Sequence, residues 1–327
     1  MTTLSALISE RPAPQTLFQR LWATHWLLTL TGALSLALIL VAALGLAVDP
    51  RVITGAPAWA KPMKFAISFA IYSFTLVWLL GFVQGHPRLV GLTATLTAIA
   101  VVVETAIILV QAARGVRSHF NFITPFDATL FGMMGNFAMV LGLMNLLALI
   151  LLIRQRMPDS TFAWSLRLGL VIALVGMAVG FWMISNRPRS QQAKLEAERQ
   201  PPYLGAHSVG VEDGGPGLPF VNWNIQGGDL RVAHFVGLHG MQVLPLIGFI
   251  VTRRFANILS ERRRTVLVWT AGLGYLGFVL LLIWQALRGQ SIVAPDALTL
   301  AAFGGLFVAV AAIGALIVVA GRKAQSN

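Results

Sequence analysis

The sequence predicts an all-α, polytopic integral membrane bundle of about eight transmembrane helices with both termini cytoplasmic. Composition, the length of the apolar runs and the placement of Lys and Arg each point to it. Of the 327 residues 57% are hydrophobic and only 11% charged, and mean hydropathy is +0.76, whereas a water-soluble domain carries about 25% charged residues. The apolar runs reach the roughly 20 residues needed to cross a hydrocarbon core of about 30 Å.

Elements follow along the chain. Residues 1–22 are a polar, Pro-containing cytoplasmic or interfacial segment in which Leu17, Phe18, Leu21 and Trp22 recur at helical spacing. Spans are expected at 23–47, 63–83, 91–113, 128–153 and 163–185, then at 234–252, 265–287 and 297–321, with a cytoplasmic tail at 322–327. The sixth is the shortest and contains Pro245, which a membrane helix tolerates when neighbours or water satisfy the freed carbonyl. Between the fifth and sixth spans, residues 186–233 form an extracytoplasmic loop or cap. Gln191 to Arg199 is charged and helix-prone, and the Gly/Pro-rich stretch after it, carrying Phe220 and Trp223, is suited to covering a bundle mouth rather than building its own core.

Lys and Arg fix the expected orientation. With the long loop left out, 13 fall on the terminal side and 6 on the other, and Arg253, Arg254, Arg262, Arg263 and Arg264 form the densest cluster. That places the termini inside a cell (inner) membrane. The net charge of +12 therefore reads as loop asymmetry, and no nucleic acid is expected as a partner. The expected partners are the lipid bilayer and a small or lipid-borne molecule. With no cysteine in the chain, a disulfide framework, a thiolate metal centre and a Cys nucleophile are excluded. No HExxH, GxSxG or GxxxxGK[ST] pattern occurs.

Polar side chains inside apolar spans carry the functional expectation, because hydrocarbon penalises them unless they are paired or used. At about 1.5 Å per residue, Glu104 and Asn136 lie about 13 and 12 Å from the outer ends of their helices, with His239 and Gln242 about 7 and 12 Å deep on the sixth span. Lys64, Ser68 and Tyr72 make an i, i+4, i+8 stripe descending from the same side, and Gln111 follows Glu104 on one face. The inner half offers little beyond Asn145. An outward-facing cavity is therefore expected, with Glu104 and His239 as catalytic candidates and Lys64, Tyr72, Asn136, Gln242 and Arg231 as substrate-binding candidates. Glu104 is equally suited to packing by pairing with Lys64 or bonding Gln242.

A divalent metal or haem is the candidate cofactor, since imidazole and carboxylate serve as ligands where thiolate is absent. The ligand candidates are Glu104, His119, His207, His234 and His239. Asp127, Asp229 and Asp296 are placed as helix N-terminal caps. Arg117 and Arg231 read either as interfacial anchors or as clamps for an anionic substrate. Gly132 with Gly135, Gly237 with Gly240, and Gly304 with Gly305 are expected at close helix contacts. The leading reading is an enzyme or sensor acting on a small or lipid-borne molecule. Its alternatives are a proton-coupled transporter using Glu104, a haem-binding or quinone-reactive electron-transfer protein, and a non-catalytic membrane scaffold.

Overall fold

A computed structural model describes residues 16–188, 190–193 and 202–323. The first 15 residues, most of the charged Gln191 to Arg199 piece and the last four residues lie outside the described residues. A short amphipathic helix α1 (Leu17–Thr24) opens the described chain; Leu21 is buried while Leu17, Phe18 and Trp22 are exposed. Thr16 and Gln19 form a reciprocal capping box at its start, satisfying amide donors that have no intrahelical acceptor.

The bundle comprises α2 (Trp26–Val48), α3 (Ala60–Leu80), α4 (Pro87–Ala113), α5 (Pro125–Arg154), α6 (Ser160–Ser185), α7 (Leu230–Leu238), α8 (Gly240–Arg254), α9 (Glu261–Leu287) and α10 (Ala297–Lys323). Seven of these are each long and apolar enough to cross a membrane, and α7 with α8, bent by 44° at a short break, pass that test together, as a broken span or a re-entrant loop. The all-α polytopic architecture expected from the sequence is therefore present. The break falls at His239, which ends α7 and precedes α8, whereas Pro245 lies within α8. The sixth span also begins at Leu230 rather than 234, because Asp229 accepts from the Arg231 amide and caps the helix there.

Successive helices pack on one another from α2 to α6, α7 and α8 lie along α6, and α9 joins α6 to the peripheral α10. Close approach along α6 depends on glycine. A Cβ on Gly237 would stand 2.6 Å from the Cα of Gly176, and one on Gly169 would stand 2.8 Å from the Gly240 carbonyl oxygen. A Cβ at Gly132, Gly135, Gly304 or Gly305 meets nothing within 4 Å, so these four do not serve the close packing expected of them.

The two ends of the bundle differ. At the end bearing α1 and the α3–α4, α5–α6 and α8–α9 connections, Leu28, Leu76, Leu79, Leu80, Leu152, Leu166 and Leu170 are fully buried and fill the interhelical space. At the other end the long connections come together as a cap. There β1 (Val52–Ile53) pairs with β2 (Ala56–Pro57), and β3 (Ser208–Val209) pairs with β4 (Gly228–Asp229), both antiparallel. Gly228 seats the cap on α9, since a Cβ there would lie 1.9 Å from the Ala286 carbonyl oxygen.

Candidate functional site

Beneath the cap lies a cavity of about 470 Å³, walled by α3, α4, α5, α6, α7 and α8 and roofed by the 50s, 110s and 205–224 loops. Its deeper wall is apolar, with Ile67, Ile108, Met134, Ala138, Leu141 and Met241 among its lining. Its polar groups gather toward the roof. The floor is reached at Tyr72 and Gln242. Below it Asn145 donates to the Tyr72 hydroxyl and to the Leu141 carbonyl, and the leucine-filled half begins.

Glu104 lines this cavity from α4 and is only 5% exposed, and its Oε1 has no hydrogen-bond partner among the described residues. A buried oxygen without a donor is costly; Ser73 Oγ and Asn145 Oδ1 are in the same condition, but Glu104 is the carboxylate among them and borders the cavity. The alternatives set for it in the sequence are not realised. Lys64 donates instead to the Val221 carbonyl at 3.0 Å, and Gln242 donates to Thr75 Oγ1 at 3.1 Å.

Four histidines line the same space. His239 sits at the α7–α8 break with Nδ1 3.3 Å from Gln242 Oε1 and its ring 4.3 Å from that of Phe235. His234 Nδ1 lies 2.7 Å from the Gly176 carbonyl, a contact possible because Gly180 presents no side chain to the ring. His207 Nδ1 meets Asp213 at 2.9 Å, and the same carboxylate accepts from the His207 and Ser208 backbone amides. Burial opposes the ionisation of Asp213, but His207 and the two amides outweigh it and hold the carboxyl well below its ordinary range. Burial likewise lowers His207. His119 is held well below the usual imidazole range, first by burial and then by the neighbouring Lys61 cation; its Nδ1 is 3.0 Å from Lys61 Nζ and 3.1 Å from Ser118 Oγ.

The cavity thus collects Glu104, His119, His207, His234, His239, Lys64, Tyr72, Gln242 and Arg231, nearly every residue singled out in the sequence. Asn136 is the exception. It is exposed on α5 and does not line the cavity, because Met134 and Ala138, four apart, face inward, and a residue two positions from either is turned about 200° away. Gln111 is also diverted: it is buried, donating to Asp127 at 2.9 Å while accepting from Arg114. Asp127 is not the N-cap of α5, a role taken by Thr124, but the carboxylate that receives Thr124, Gln111 and Arg114. Asp296 accepts from the Thr299 amide as a cap should.

The proposed metal ligands share a cavity but not a coordination sphere. No group of three or more His, Asp or Glu among the described residues is arranged to hold a metal ion.

From the sequence, Lys61 reads with Lys64 as a residue flanking Pro62 and snorkelling to the interface, Asp213 is passed over, and Arg117 is left undecided. All three line the cavity. Lys61 lies three residues before Lys64, hence on the same side of the helix, a spacing that could have identified it. Asp213 gave no such signal, since only the folding of the cap brings it to His207. Arg117 stacks its guanidinium 3.6 Å above the Tyr203 ring.

Comparison with protein-family models, with curated proteins and with solved structures returns no match.

Proposed function

We propose that this multi-pass membrane protein binds a small or lipid-borne molecule in the capped cavity and acts on it, or senses it, with Glu104 as proton acceptor and His239 as its acid/base partner. The observation that carries the reading is the unpartnered Oε1 of a carboxylate that is 5% exposed and borders a 470 Å³ space. Tyr72 and Gln242 bound the deep end, Lys64 and Arg231 the shallow end, and the 205–224 loop serves as the lid that excludes water. The distribution of Lys and Arg, 13 against 6 outside the long loop, supports placing the termini in the cytoplasm of a cell with the cavity facing outward across the inner membrane.

The leucine-filled half favours an enzyme or sensor over a carrier. A carrier needs a polar route through both halves, and here Leu76, Leu79, Leu80, Leu152, Leu166 and Leu170 are fully buried along the second half. The test has two stages. A molecule released from denatured wild-type protein and missing from Ala138→Trp supports a binding cavity. A carboxyl band that changes in infrared difference spectra when that molecule is added, and disappears in Glu104→Gln, supports the proton role. Equal occupancy in Ala138→Trp, or an unchanged band in Glu104→Gln, overturns the respective half.

A further inference from the structure

Charge and exposure around the cavity define what it takes and from where. The lining contains four cationic side chains, Lys61, Lys64, Arg117 and Arg231, against two carboxylates, Glu104 and Asp213. Arg231 is held by Asp229 through a two-pronged ion pair, and Asp213 is spent on His207 and two amides. Lys61, Lys64 and Arg117 have no ion pair with a carboxylate among the described residues; their contacts are His119, the Val221 carbonyl and the face of Tyr203. All three stand at the roof end, above the apolar wall. The space is therefore basic at the roof and hydrocarbon-like along Ile67, Ile108, Met134 and Leu141, with amine and guanidinium groups that lack a carboxylate partner where an anionic group would sit.

Two apolar side chains of the spanning helices that line the cavity are only partly covered. Ile71 on α3 and Phe235 on α7 both line it, yet they are 39% and 40% exposed. Just past the α7–α8 break, α8 is tied to α3 by the Gln242 to Thr75 hydrogen bond. Measured along the helices, Phe235 and Ile71 stand about 10 and 6 Å above that tie, toward the cap. The seam above the tie is thus apolar, with the Phe235 ring set between His239 and Trp223, 4.3 and 5.8 Å from their rings.

We infer that the cavity admits an anionic lipid from the bilayer through the seam between α3 and α7, seating its phosphate or carboxylate head on Lys61, Lys64 and Arg117 and laying its chain along the apolar wall past Ile71. This deepens the proposed function and rests on the same cavity, naming the ligand class. A head fixed by cations positions the remainder of the molecule against Glu104 without asking Glu104 to bind it.

Trp223, which lines the cavity, supplies the readout. Full-length protein is reconstituted in phosphatidylcholine vesicles containing chain-brominated phosphatidic acid or, separately, chain-brominated phosphatidylcholine. The Trp223 signal is taken as the difference between wild type and Trp223→Phe. Stronger quenching by the brominated phosphatidic acid is expected, weakening about tenfold in apparent affinity with each of Lys61→Gln and Lys64→Gln, as for loss of one charge-assisted hydrogen bond. Equal quenching by the two lipids, or a preference that survives the double variant, overturns the inference. Inorganic phosphate alone is the second arm. If it alters Trp223 emission in a lysine-dependent way while brominated phosphatidic acid does not quench, the head site belongs to a soluble anion and the lipid assignment fails. Glu104→Gln should keep the lipid preference, so failure of the acid/base reading and failure of this one are told apart.

Discussion

The half of the bundle under the cap and the half opposite are built from the same helices, yet they fill the space between them differently. Opposite the cap, Leu28, Leu76, Leu79, Leu80, Leu152, Leu166 and Leu170 interlock with no access for solvent. Under the cap, the same interhelical space holds ionisable groups and a cavity. Those groups divide into two kinds. Asp127 with Arg114 and Gln111, and Asp229 with Arg231, are closed networks whose members satisfy one another. Glu104, Lys61 and Lys64 face the cavity without a charged partner bonded to them. Polarity in a spanning segment is thus not a uniform sign of function. Pairing separates the groups that hold the cap half together from those left to act on something else.

The sharpest way to break this division is to open one closed network. Arg231→Ala leaves Asp229, whose side chain is 1% exposed, with only the Asn224 and residue-231 backbone amides, and should lower the unfolding free energy by about 3 kcal/mol, measured by denaturant titration in mixed micelles. A loss close to zero would move Asp229 into the class of groups that tolerate standing alone. The packed half is probed next. Leu76→Ala should cost about 2–4 kcal/mol through lost contacts and a residual void, while Ile71→Ala at the seam should cost well under half as much. Equal losses would erase the contrast between the halves.

Acidification tests the cap itself. His119 and His207 have imidazole pKa values lowered in the folded protein, chiefly by burial, so the stability they contribute is fully present above the unfolded value of about 6.5. It is lost as pH falls below that point, at up to about 1.4 kcal/mol per pH unit for each ring. Asp213, also lowered, adds a loss of the same sign once pH falls below about 4. Protection factors in residues 203–229, with the intrinsic slowing of exchange in acid taken out, should fall from pH 7 to pH 5 while those of the leucine-filled half hold; an equal fall across both halves would contradict the assignment. The smallest effect belongs to the tie between α8 and α3. Gln242→Leu should cost about 0.6 kcal/mol, the usual worth of a single interhelical hydrogen bond in a membrane, yet widen the seam, so a fall in stability of several kcal/mol would indicate that the tie holds more than one bond.

Most of the cavity was legible before folding because depth along a helix follows from counting residues. Glu104, Tyr72, His239 and Gln242 come to one space since their distances from the cap-side ends are similar and α-helical rise is constant. Facing was less secure. Asn136 sits at a suitable depth and still points outward, because the inward face of α5 is chosen by Met134 and Ala138 packing against neighbours. The glycine pairs divide in the same manner: Gly237 and Gly240 meet α6, while Gly132, Gly135, Gly304 and Gly305 meet nothing. Which of several glycines lies at a contact depends on the partner helix, which no single span specifies.

The sequence by itself determined that the chain carries at least seven stretches long and apolar enough to cross a bilayer, and at which level along them its ionisable groups lie, because hydrophobic length and residue rise are local quantities. Only the tertiary structure decided which charges pair and which remain free, where the chain bends between α7 and α8, and that the chain between the fifth and sixth spans becomes a roof bringing Asp213 to His207. Those outcomes depend on contacts between segments far apart in the chain, and a pairing exists only once both partners have been brought within a few ångströms of each other.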